Sequence, residues 1–297
     1  RDYAIAFALS SAILALLLRI WTFHPRIPIV YEGDGIGNLA MFTNLKGHWS
    51  YFYSARVGYP FGQHLQDAPA VADGFNLLLS WLLVNIMRSP VLALNSFFLL
   101  SFPLCAVGGT VGARLMGLER RVAIALGVLY AFTPYHGMHG AGHLFLSMYP
   151  LLPVVIGLVV RELVDKRHPL ERGHFLRASA PLILAGVLGG VSGLYYSFFT
   201  LLLLGIGFLL SMLDGNNLKS SARFAVGLLT AGFVIGLQMI PTILYQHSHG
   251  QNLGIFKRAA SEVEGYSLRL IDLLLPIPQH PIRSLAHFTA RNVSTHI

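Results

Sequence analysis

The sequence predicts an all-α fold: a polytopic transmembrane helical bundle with an extracytoplasmic loop that carries surface helices. Three observations lead there. Of 297 residues, 54% are hydrophobic and only 11% charged, with a mean hydropathy of +0.61, whereas soluble domains carry about a quarter charged residues. The apolar residues collect in runs close to the ~20 residues that cross a bilayer. The cations gather in short loops between those runs, so the net charge of +8 reads as orientation in a membrane and not as nucleic-acid binding. Cys105, the single cysteine, lies in an apolar run, which excludes a disulfide framework and a cysteine metal site.

The first run, 3–21, ends in Arg19-Ile20-Trp21 and lacks a small-residue cleavage pattern, so it predicts a retained span. Further spans are expected at 92–113, 122–135, 144–160, 176–191, 195–213 and 223–244. The run 122–135 is short, and Pro103, Pro150, Pro153, Pro181 and Pro241 fall within or at the ends of spans, where neighbouring helices satisfy the freed carbonyls. Residues 75–87, FNLLLSWLLVNIM, are the ambiguous stretch. Counted as a span, they would put the arginines of RLMGLERR (114–121) outside. Laid in the outer interface with Trp81 as anchor, they leave 114–121, 161–177 and 214–223 on the cytoplasmic side. Those three loops hold ten of the 21 lysines and arginines, as cytoplasmic loops should. About seven spans follow, with a cytoplasmic N-terminus and an external loop over 22–91. Residues 1–245 then form the transmembrane domain and 246–297 an extracytoplasmic segment. The chain begins at Arg1 without Met and ends in a polar stretch, so further C-terminal sequence is expected. No internal repeat or matched pair of broken helices suggests an inverted-repeat transporter.

The external loop opens with IVYEGDGIGNLAMF (29–42), which places Glu32 and Asp34 among three glycines directly after the first span. Ile36, Leu39, Met41, Phe42 and Leu45 predict an amphipathic helix on the bilayer surface. A turn-rich stretch, 55–76, adds Arg56, His64, Asp67 and Asp73. Carboxylates at a lipid interface supply a general base and a partner for metal or phosphate. The same residue types also cap helices: Asp34 stands before one predicted helix and Asp73 before GFNLLL. The Gly-x-Gly-x-Gly run follows no strand, so it is not a dinucleotide fingerprint.

His136, His139 and His143, spaced i, i+3 and i+7, would share one face of a helix. Such a face either binds a divalent metal or phosphate, or packs against Tyr135 and Tyr149. Gly137, Gly140 and Gly142 weaken a helix there. In GLYYSFF (193–199), Tyr195 and Tyr196 read as an aromatic belt or as a sugar-stacking pair. The last segment carries Lys257, Arg258, Glu262, Glu264, Arg269 and Asp272, whose cations suit a lipid headgroup or a donor phosphate equally well. The sequon at Asn292 carries no weight without a secretory compartment.

A span, an acidic motif at once outside it, surface helices and a span ending in arginines together resemble the GT-C-type membrane glycosyltransferases, and within them a set of bacterial multi-spanning proteins. The residues that carry the resemblance are EGDGIGNL, YPFGQHLQDAPAVADGFNLL, YAFTPYHGMHGAGHLFL, SGLYYSFF and SLRLIDLLLPIPQHP, spread along nearly the whole chain. The resemblance implies transfer of a sugar from a polyprenyl-phosphate carrier at the outer face of the bacterial cytoplasmic membrane. It implies an acidic catalytic base in the first external loop, best matched by Asp34 and next by Glu32. Seven spans are fewer than such enzymes usually have. On this reading Arg56, Lys257, Arg258 and Arg269 neutralise the departing phosphate, with His64, Asp67 and Asp73 as further substrate-binding positions. The competing reading is a transporter or assembly protein for lipid-linked precursors. A transporter should carry ionisable groups deep within its spans, and the predicted spans hold almost none.

Overall fold

The computed structural model describes residues 1–47, 49, 52–68, 72–164, 175–213, 218–252, 276 and 282–293. The chain divides into two compact units, 1–250 and 251–297. The second contributes helix α12, Arg283–Val293, whose Thr289 hydroxyl donates to the Pro276 carbonyl.

Among the described residues, the regular structure of the first unit is helical apart from one two-stranded hairpin. Its helices are α1 (Asp2–Leu17), α2 (Asp34–Leu45), α3 (Gly74–Met87), α4 (Pro90–Leu115), α5 (Arg120–Ala131), α6 (Pro134–His139), α7 (Leu144–Ser147), α8 (Leu151–Val164), α9 (Phe175–Gly190), α10 (Leu194–Leu213) and α11 (Leu218–His249). Strands β1 (Tyr53–Ser54) and β2 (Gln63–His64) pair antiparallel between α2 and α3.

Three of these helices are long and apolar enough to cross a membrane: α4 with 26 residues, α10 with 20 and α11 with 32. Among the described residues, the helices at the four other predicted spans are shorter. α1 and α9 have 16 residues each, α5 has 12 and α8 has 14. At 1.5 Å per residue α5 reaches only about 18 Å, short of a hydrocarbon core of about 30 Å. The predicted spans 122–135 and 144–160 are each interrupted: α5 stops at Ala131, and residues 148–150 part α7 from α8. Thr133, in the residue position before Pro134, is extended at φ −64° and ψ 150°, because the proline ring disfavours the helical conformation there. Gly140, at φ +47°, then ends α6 after six residues.

α4 is the central helix, packed against α1, α3, α5 and α8. Ser89 caps it, its hydroxyl accepting from the Leu92 amide at 3.4 Å, and Pro90 occupies the first turn, where no amide is needed. Gly108 and Gly112 lie against the carbonyls of Pro150 and Pro153, so α8 approaches closer than any side chain on those positions would permit. One end of the bundle carries the Asp2–Arg120 ion pair at 2.5 Å and the buried Glu162–Arg223 pair. The segment that follows α1 is fastened on the other side: Asn95 accepts from the Ile29 amide and donates to the carbonyls of Pro25 and Ile27.

Candidate functional site

α2 is the predicted helix, yet its apolar face is turned inward. Phe42 and Leu45 are buried in a cluster with Leu94, Phe97, Phe98, Phe102, Leu144 and Met148, and the Phe42 and Phe97 rings meet edge to face at 5.9 Å. Packing on α3 and α4 fixes this helix. Its exposed start therefore has a defined position against the α6–α7 segment.

Asp34 is the first residue of α2, and the residue in the capping position is Gly33, at φ +49°. Asp34 thus lies inside the helix, one residue past the capping position. Its Oδ2 lies 3.0 Å from Nδ1 of His143, with the two side chains 69% and 56% exposed. One turn along, Asn38 donates from its amide nitrogen to the Gly142 carbonyl at 3.2 Å. Two residues of α2 thus grip two successive residues of a segment more than 100 positions away. Glu32 stands exposed in the preceding turn, where its carbonyl accepts from the Gly35 amide. The result is a carboxylate and an imidazole held together at a water-accessible surface, over a rigid apolar floor.

The three histidines do not share a helix face. α6 ends at His139, and His143 sits before α7 beyond the Gly140 turn. His136 is fully buried, stacked on Phe102 at 3.9 Å, with Nε2 2.7 Å from the Ser101 hydroxyl. Ser101 donates its own proton to the Phe98 carbonyl, so the imidazole donates through Nε2. Burial pushes its pKa down to about 4, keeping it neutral. The side chain of His139 lies outside the described residues. Among those described, no group of three histidine, cysteine or carboxylate side chains is placed to hold a metal ion.

The other predicted residues are elsewhere. Asp73 is a buried cap of α3: Oδ1 accepts from the Asn76 amide at 3.4 Å and Oδ2 from the Asn76 side chain at 2.9 Å. Burial pushes its carboxyl up to about 7 against these stabilising bonds. Beside it, Gln238 accepts from the Gly74 amide and donates to the Gly190 carbonyl, latching α3 to α11 and α9. Asp73, expected at a substrate site, thus serves as the buried cap of α3. Arg56 donates to the Lys46 carbonyl at 2.8 Å. His64 packs on Tyr53 and Tyr245, and the Asp67 carbonyl accepts from Gln246. Lys257, Arg258, Arg269 and their acidic neighbours Glu262, Glu264 and Asp272 lie outside the described residues.

Sequence reasoning missed a tyrosine cluster next to the site. Tyr196, 5% exposed, donates to the Leu146 carbonyl, and its oxygen lies 3.1 Å from that of Tyr135. Tyr195, 69% exposed, points outward. The two adjacent tyrosines split between core and surface, so a belt describes only one of them. Comparison with family models, curated proteins and solved structures yields no match.

Proposed function

We propose that this chain is a polytopic membrane protein that transfers a sugar from a polyprenyl-phosphate carrier to an acceptor at the outer face of the bacterial cytoplasmic membrane. The observation that carries the reading is the state of Asp34. A carboxylate at a helix start would ordinarily bond the free amides there. This one faces water and is held by an imidazole instead. It is placed to take the proton of an acceptor hydroxyl whose oxygen then attacks the anomeric carbon, while the bond from that carbon to the carrier phosphate breaks. His143 orients the carboxylate. Arg56, and from the sequence Lys257, Arg258 and Arg269, are the cations proposed to take up the charge of the leaving phosphate. Glu32 is the alternative base.

The transporter reading is less well supported. The buried Glu162–Arg223 pair lies near the end of α8 and the start of α11, not at mid-helix, where a transport site would sit. The test is Asp34→Asn. Transfer from a polyprenyl-phosphate sugar should fall by about 10²–10⁴-fold, as for loss of a general base, with the protein still folded. His143→Gln should lose less. Parental turnover by Asp34→Asn would refute the mechanism.

A further inference from the structure

The hairpin between α2 and α3 presents two large rings that the transfer reaction does not use. Tyr59 and Phe61, at its tip, are 89% and 88% exposed, the highest values among the large hydrophobics described. The tip is nevertheless built to hold them there. Gly62, at φ +77°, lies against the Tyr53 ring with no room for a Cβ, and Gly58, at φ +71°, lies equally close to the Gly62 carbonyl. The Phe61 and Gly62 amides both bond back to the Gly58 carbonyl. A loop free to choose would fold such rings inward, since covering an aromatic side chain is worth about 1.5–3 kcal/mol.

Four observations identify the surface that meets this tip. The first is depth. α11 is about 48 Å long at 1.5 Å per residue, longer than the ~30 Å hydrocarbon core. Its exposed face runs through Leu237, Ile240, Ile243 and Leu244 and then changes to His247, Ser248 and His249. The hairpin is fastened at that change: His64 packs on Tyr245 at 5.0 Å, and Tyr245 on His249 at 4.2 Å. A helix that crosses a bilayer changes from apolar to polar at the headgroups, so the hairpin root stands at headgroup level. The second is charge. No acidic residue occurs from 35 to 66, whereas Lys46 and Arg56 are exposed and joined by a hydrogen bond, which suits anionic phosphates. The third is residue type, because tyrosine and tryptophan rings with lysine and arginine are what interfaces select. The fourth is continuity. Trp49 meets Trp81 of α3 edge to face at 5.6 Å, and α3 exposes Leu78, Leu82 and Ile86 at helical spacing.

We infer that the 53–64 hairpin is a membrane anchor, with Tyr59 and Phe61 seated in the outer headgroup region and Lys46, at its base, on lipid phosphate. The full chain in nanodiscs, with Cys105→Ser and a bimane-labelled Phe61→Cys, tests this. Emission should be lost on exchange into lipid brominated near the top of the acyl chains, and iodide in the aqueous phase should quench it weakly. A second protein labelled at Tyr59→Cys should behave alike. Adding Lys46→Gln to either should reduce the bromolipid quenching in anionic discs. If both labels ignore bromolipid and respond fully to iodide, the anchor is refuted. A blue shift produced only by a soluble protein or saccharide would refute it too, and would make the tip a partner-binding loop.

Discussion

Asp73→Asn should abolish a specific dependence of stability on pH. In the folded chain the Asp73 carboxyl titrates at about 7, against an ordinary value of 3.8, because burial disfavours its ionised form. Its folded pKa is raised, so between the two values the folded chain holds a proton that the unfolded chain has released. Stability therefore falls as pH rises through that window. The stabilisation is fully present below pH 3.8 and lost above about 7. At 1.36 kcal/mol per pH unit, the interval amounts to about 4 kcal/mol. Asparagine is a good cap and can still accept from the Asn76 amide, so the variant keeps the start of α3 but has no proton to lose. Thermal unfolding of both proteins, reconstituted in the same lipid and followed from about pH 4 to about pH 8, isolates this group from every other titration they share. The parent should lose stability relative to Asp73→Asn as pH rises. Superimposable profiles would show that the carboxyl is solvated and that burial does not govern it.

Three further outcomes follow from the packing. His136→Phe should lower stability by about 1–3 kcal/mol, through the lost bond to Ser101 and a larger ring in a fully buried site, and leave the divalent-metal content of the purified protein unchanged; loss of a stoichiometric ion on substitution would overturn this. Gly112→Val should destabilise the bundle by about 1–3 kcal/mol or more, since its Cβ would strike the Pro153 carbonyl; an unchanged unfolding midpoint would contradict the close approach of α4 and α8. Single cysteines replacing Arg88 and Arg121 in a Cys105→Ser chain, at opposite ends of α4, should label from opposite faces of the membrane, and labelling from one face would refute a crossing by α4.

Helical class, apolar character and the existence of α1, α2, α4, α10 and α11 were legible in the residues, because burial in lipid or core demands long apolar runs whatever the neighbours. So was the cap at Asp73, since capping needs only a carboxylate just before a helix. Span lengths were less legible. Hydropathy carries the predicted spans to 135 and onward from Leu144, whereas α5 stops at Ala131 and residues 148–150 part α7 from α8. The outcome at Asp34 could not be read locally at all: cap and base use the same side chain at the same position. Only the packing of Phe42 on Phe97, and the grip of Asn38 on Gly142, bring a histidine 109 residues away within 3.0 Å of its carboxylate. Residue types specify what each group can do, because ionisation and polarity belong to the side chain. Which groups act together depends on contacts between segments distant in the chain, and these exist only once the helices have packed.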